Sequence, residues 1–422
     1  MAQHVYFARD SKLFIEFNGT VWEIPVLDGF SFTQSTNSTE ITLSEMESST
    51  GVSRRGRRAF NDSLAPVEWS FSTYVRPFIS AGSGLGAADS AANHHAVEEV
   101  LWALWAGANT YSSGAFSRSG GGTTTVTDTS DLNIDFSESN VSSLGTCNLY
   151  FVLGSSNRQV YKISEAAVNE ASIDFEIDGI ATINWSGMGS EIVDMWPSTI
   201  ESDDQPTATD VTNDGVDNVV IDDIWLDSND NYRLRVITDL TSGSEASTPL
   251  IYEATNATDN FIRNRLSTLV VDGSGQTGLE SSYSMTLTGG NITMSNNITY
   301  ITPEELGVVN VPIGHVTGTR SVSGSFTCYL NRDDSVSNDT YSSNFFEDVK
   351  AIYNTITNDI ALTFKIGGSA ANTPNLEVAM ANCHVEIPTH SIEDVITVES
   401  TFQALPTDIN STDDATLTYK GA

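Results

Sequence analysis

Apolar and polar residues alternate along most of this chain, the period-two pattern of strands that bury one face. The run KLFIEFNGTVWEIPV (12–26) holds two such stretches around Asn18-Gly19, a two-residue hairpin signal. Further strands are expected at 67–75, 147–154, 158–164, 171–179 and 180–187. In IDFEIDG, Ile173, Phe175 and Ile177 fall on one side and Asp174, Glu176 and Asp178 on the other, which predicts a sheet with one acidic face. Only two segments carry helical periodicity. HHAVEEVLWALWAG places Val97, Val100, Leu101 and Leu104 at i, i+3, i+4 and i+7, and predicts a helix over 96–106 with Glu98 and Glu99 in its first turn. NFFEDVKAIYNTI repeats the stripe through Phe345, Val349, Ile352 and Ile356, with Glu347 and Asp348 in the first turn.

Two similar helices in a β-rich chain suggest a duplication, and a direct overlay supports one. Residues 26–46 laid over 286–306 share nine identities without a gap: Leu27/Leu287, Gly29/Gly289, Thr33/Thr293, Ser35/Ser295, Asn37/Asn297, Thr39/Thr299, Ile41/Ile301, Thr42/Thr302 and Glu45/Glu305. The order of elements then continues to match. WSFSTYV (69–75) lies over GSFTCYL (324–330), Glu98 over Glu347, and LYFVLG (149–154) over LTFKIG (362–367). One β-rich unit is thus written twice. The first copy carries the longer helix-to-strand loop, YSSGAFSRSGGGTTTVTDTSDLN, whose composition reads as mobile or held by a neighbour.

The domains expected are 1–198 and 276–422, joined by an inserted β element and linker over 199–275. Composition shifts in that insert: residues 201–230 contain ten Asp or Glu and neither Lys nor Arg. Within it, VVIDDIWLD (219–227) and YRLRVIT (232–238) suit a hairpin across SNDN.

Charge narrows the function classes. A net charge of −36 over 422 residues opposes tight binding of DNA or an anionic membrane across a broad face. It does not oppose a surface past which DNA slides. No run of about eighteen apolar residues predicts a membrane span, and the N-terminus lacks a signal-peptide pattern. Cys147, Cys328 and Cys383 are odd in number and far apart, so they are expected to be reduced thiols from a cytoplasm.

Candidate chemistry is thin. DSNDN (227–231) spaces oxygens as a calcium loop does but lacks the glycine and distal glutamate, and reads better as a hairpin turn. His94 and His95 precede Glu98, yet adjacent residues point about 100° apart on a helix, so a helix start is the better reading than a metal site. GSGLG (82–86) lacks the context of a dinucleotide site. No cofactor, metal or catalytic residue is expected, and the chain is not expected to be an enzyme.

SRRGRR (53–58) stands apart, with Arg54, Arg55, Arg57 and Arg58 supplying four of only 19 basic residues. The second copy has the nearly uncharged GVVNVPIGHVTGTRS at that place, so the fold does not require the arginines. Their forks pair well with carboxylates, and the most abundant acidic partner is another copy of this chain. They are expected to form an inter-subunit contact loop.

The succession FTQSTNSTEITLSEM, GVSRRGRRAFNDSLAP, WSFSTYVRP and the helix at 96–106, echoed over 292–356, resembles tailed-bacteriophage tail tube (major tail) proteins. The resemblance covers both copies but not the acidic insert. It implies a mainly β fold of two tandem β-sandwich, barrel-forming domains, each with one short flanking α-helix. Such domains form six-domain rings whose inner sheets make a continuous barrel, and the rings stack into a tube with an acidic lumen for DNA ejection. Two copies per chain imply homotrimers of pseudo-sixfold symmetry. The partners implied are further copies of the chain, with tape-measure and tail-terminator proteins, while genomic DNA passes through without tight binding. The location implied is the virion tail, assembled in the cytoplasm of a bacterial host. The competing reading is an adhesin or baseplate-type protein that uses 199–275 to bind a glycan or receptor.

Overall fold

The computed structural model describes residues 5–27, 29–40, 58–79, 94–112, 115–118, 124–128, 132–135, 144–238, 240, 250–251, 261–304, 306, 309–332, 341–352, 359–368, 373–392, 394–409 and 411–420. The chain is mainly β, and the two helices among the described residues are short: α1 Glu99–Trp105 and α2 Ser342–Ala351. Numbering the strands of the main sheets and their arms, the first part contains β1 Lys12–Phe17, β2 Thr20–Ile24, β3 Ser31–Thr33, β4 Thr36–Glu40, β5 Ala59–Leu64, β6 Val67–Tyr74, β7 Cys147–Leu153, β8 Gln159–Glu176 and β9 Thr182–Gly189. The second contains β10 Leu287–Ser295, β11 Thr299–Ile301, β12 Gly314–Val316, β13 Ser321–Tyr329, β14 Ile360–Ile366, β15 Asn375–Val385, β16 Thr389–Ile392, β17 Ile396–Leu405 and β18 Thr416–Lys420.

The Asn18-Gly19 hairpin forms as its dipeptide dictates. Both residues have positive φ, 51° and 77°, the condition a two-residue type I′ turn imposes, and β1 and β2 pair across it. The expected strands at 158–164 and 171–179 are one continuous strand, β8. Its first part pairs with β7 and its last part with β9 and β10. Between them Glu165 adopts φ 51°, so the strand bends from one sheet to the next without ending.

Eight strands run antiparallel in the order β3–β6–β9–β8–β10–β13–β17–β16. The two sequence copies hold the same register within this sheet. Ser31 lies opposite Ser70 and Phe32 opposite Trp69; their counterparts Asn291 and Ile292 lie opposite Ser325 and Gly324. Size is exchanged between strands where the copies differ. Trp69 covers Gly187, where an added Cβ would stand 2.4 Å from the indole, while Phe402 covers Gly324, where the gap would be 2.8 Å. One buried cluster spans the molecule, joining Leu13 and Ile15 of β1 to Trp185 of β9 and to Phe326, Phe364 and Phe402 of the second part.

The helices differ from expectation at their starts. His94–Ala96 pairs as a strand with Pro77–Ile79, and α1 starts at Glu99, three residues later than expected. Every residue of α1 is buried, not one stripe alone. Helix α2 begins at Ser342, so Glu347 and Asp348 fall in its second turn instead of its first. The Gly/Ser/Thr-rich loop is partly ordered as strands. Leu132–Asp135, which begins at its end, pairs with β18, with Leu132 and Ile134 buried; alternating apolar residues there outweigh the loop-like composition.

In the insert, Ile224–Asp227 and Arg233–Val236 form the expected hairpin, and Thr199–Ser202 adds a parallel strand. Ile224, Leu226, Leu234 and Val236 pack on Phe14, Val21, Tyr150, Val152 and Val160, so this sheet is sealed onto the back of β1, β2 and β7. DSNDN is the hairpin turn, with the Asp227 side chain accepting from Asn229 N at 3.0 Å. Arg235 pairs with Asp227 at 2.8 Å and Arg233 with Glu23 at 2.9 Å. Arg233 thus ties the insert hairpin to β2, while Arg235 braces the hairpin itself. Farther along, Thr268–Asp272 pairs with β14.

Candidate functional site: a polar sheet face with two open edges

The eight-stranded sheet has one apolar and one polar face because its strands alternate in phase. One row across the polar face reads Tyr74, Thr182, Asp174, Asn291, Ser325 and Thr401. The next row reads Ser72, Asn184, Ser172, Thr293, Ser323 and Gln403. Side-chain hydrogen bonds stitch neighbours together. Ser72 donates to Asn184 Oδ1 at 2.6 Å, Asn184 Nδ2 donates to Asp174 Oδ2 at 2.8 Å, and the Ser172 and Thr293 hydroxyls meet at 3.1 Å. Carboxylates of Glu68, Glu170, Asp174, Glu176 and Glu399 punctuate this hydroxyl field, and no Lys or Arg occupies these paired positions among the described residues. Such a face carries negative charge, which repels an anionic polymer.

Asp174 and Glu176 lie on β8 with exposed side chains. Partial desolvation against the sheet raises the Asp174 carboxyl above its ordinary value, the Asn184 hydrogen bond opposes that shift, and Glu176 adds to it. Asp178 lies past the end of β8, in the turn leading to Gly179, where it pairs with Arg265 at 3.0 Å. Ile177 lies in the same turn and is 40% exposed, whereas Ile173 and Phe175 are 0% and 2% exposed. The period-two pattern ends where the chain turns, and Ile177 leaves the apolar face there.

Both ends of the sheet are open among the described residues. β3 pairs with β6 on one side, and β16 pairs with β17 on one side. Two arms rise beside the joints. The exposed hairpin β4–β5 carries the loop that contains SRRGRR. Arg54, Arg55 and Arg57 lie outside the described residues; Arg58 is exposed immediately before β5. The second arm, β11–β12, lies over the first part of the chain. Tyr300 donates its hydroxyl to Glu165 O, Ile298 N donates to Asn169 Oδ1 at 2.9 Å, and Leu144 N donates to His315 Nε2 at 3.0 Å.

One buried polar group escaped the reading of the sequence. Glu98, fully buried beside α1, accepts the Tyr419 hydroxyl at 2.6 Å, and Trp102 Nε1 donates to that same hydroxyl at 2.7 Å. Burial pushes its carboxyl up to about 7. Tyr419 lies 321 positions away on β18, so no local signal could pair the two. His95 Nδ1 and Glu99 Oε2 meet at 2.8 Å, both buried. No group of three or more potential metal ligands is assembled among the described residues. No helix among them is long and apolar enough to cross a membrane.

No protein-family model matches the chain. Among curated proteins it is similar to the tail tube protein pb6 of Escherichia phage T5, 26% identical over 398 residues that span 94% of this chain and 70% of that protein. That relative carries the name of a tail tube protein, and the likeness supports a phage tail tube protein with a structural role in the virion tail.

Proposed function

We propose that this relative of a phage tail tube protein polymerises into stacked rings, forming an acidic-lined conduit through which DNA leaves the virion. The observation that carries the reading is the eight-stranded sheet with its cation-free polar face and an open edge at each end. A sheet with open edges is a hazard for a monomer, and closure into a barrel removes it. Three chains placed edge to edge supply about two dozen strands, enough for a wide barrel with an aqueous lumen. The matching registers of β3–β6 and β10–β13 support the division into two tube domains, 1–198 and 276–422, and hence a trimer of pseudo-sixfold symmetry. On this reading the face that contains Asp174 and Glu176 lines the lumen, and fixed carboxylates keep DNA from adhering while it slides.

Arg54, Arg55, Arg57 and Arg58 at the first arm are a handle for an acidic neighbour in the same or the next ring. Tape-measure protein inside the tube and a terminator at its end follow as partners, and assembly in a bacterial cytoplasm follows from the resemblance. Negative-stain microscopy of purified protein tests the proposal. Rings or tubes with a channel about the width of a DNA duplex are expected. Discrete monomers at high concentration overturn it.

A further inference from the structure

We propose that the ring closes through a repeat of the chain's own internal joint, with β3 of one chain pairing against β16 of the next in a register that the β8–β10 pair sets. An exchange of side-chain size distinguishes the two joints. This inference rests on the ring reading above and goes further, to the residues that meet and the device that separates one joint from the other.

Inside the chain, β8 and β10 place Ser172 opposite Thr293, Asp174 opposite Asn291 and Phe175 opposite Gly290. The repeat carries β10 onto β3, so Asn291 corresponds to Ser31 and Gly290 to Phe30. β8 is carried onto β16 through shared neighbours. Asp174 lies opposite Thr182, which lies opposite Tyr74; Ser391 lies opposite Thr397, which lies opposite Tyr329. Tyr74 and Tyr329 are matched in the repeat, so Ser391 takes the place of Asp174 and Ile392 that of Phe175. The closing joint therefore sets Ser31 against the partner's Ser391, Phe30 against the partner's Ile392, and Phe32 against the partner's His390.

The side chains fit this register by exchange. At the internal joint the large member is on β8. Phe175 fills the space over Gly290, where an added Cβ would come within 2.9 Å of its ring, and it packs on Phe364 with ring centroids 5.6 Å apart. At the closing joint the large member is on the other strand. Phe30 stacks on Phe151 at 5.5 Å, and Phe151 is the counterpart of Phe364 in the repeat. The smaller Ile392 is 78% exposed, while its counterpart Phe175 is 2% exposed. Val395, in the turn that follows Ile392, is also exposed, at 58%. An apolar edge of this kind, matched to a buried joint in the same chain, fits a second copy of the chain as its cover. The same correspondence carries the β4–β5 arm over the next chain, as β11–β12 lies over the first part of its own.

Two sets of variants test the register. Ile392→Phe sets one large ring against another. It is expected to raise the protein concentration needed for rings by about tenfold or more while the far-UV spectrum stays unchanged. Adding Phe30→Gly recreates the internal pair and is expected to restore rings. Independently, Ser31→Cys with Ser391→Cys is expected to oxidise to covalent dimers and trimers, and Ser31→Cys with Thr389→Cys, one pair off register, to oxidise far less. If wild-type protein forms rings but Ile392→Phe forms them equally well, or the offset cysteines cross-link better, the register is overturned and the tube reading stands. If wild-type protein forms no rings, both fall together.

Discussion

Glu98 tests how the two ends of the chain are held together. Its carboxyl is fully buried, accepts from the Tyr419 hydroxyl, and has one oxygen, Oε2, without a hydrogen-bond partner among the described residues. A buried oxygen of this kind favours the protonated acid, and burial raises the group from 4.5 to about 7. The folded state therefore holds the proton more tightly than the unfolded chain. The stability this contributes is fully present below pH 4.5 and is lost as pH rises through 7. A shift of that size corresponds to about 3 kcal/mol at 1.36 kcal/mol per unit. Glu98→Gln keeps the shape and the acceptor for Tyr419 and removes the titration. Urea unfolding of unassembled protein, followed by the fluorescence of Trp102, Trp105 and Trp185, should show wild type losing about 3 kcal/mol relative to Glu98→Gln between pH 4.5 and pH 7.5. All other titrating groups cancel in that difference. A difference that does not change with pH refutes the argument that Glu98 is held protonated.

Three further outcomes are expected. Arg54→Glu combined with Arg57→Glu should leave the fold intact and weaken assembly by about 2–5 kcal/mol, read from the concentration at which rings form; unchanged assembly removes the arginines from the interface. Leu226→Ala, at a fully buried position between the insert and the β1–β2–β7 sheet, should cost about 2–5 kcal/mol in urea unfolding, and a negligible cost means the insert is not packed on that sheet. Burial raises all three thiols, Cys328 to about 11 and Cys383 to about 12, so none should react quickly with a thiol reagent at pH 8 until the chain is unfolded.

Local chemistry determined much of this protein in advance. Alternation gave β6, β7 and β9 to within about two residues, because a half-buried strand must present every second side chain to the core. The Asn18-Gly19 turn and the insert hairpin followed from turn residues with one accessible geometry. The repeat was legible because matched loops and strands need matched residues. Tertiary structure decided what depends on distant partners. The strands expected at 158–164 and 171–179 became one, since only the two sheets they join require a bend instead of a break. Leu132 and Ile134 became core because β18 lies beside them, and α1 is buried on every side because both parts of the chain close over it. Glu98 could be read as a favourable charge at a helix start, but its environment is set by a tyrosine at the opposite end of the chain. The open edges at β3 and β16 are likewise invisible in sequence. An edge is defined by the strand that is absent beside it, and only the assembled sheet shows where pairing stops.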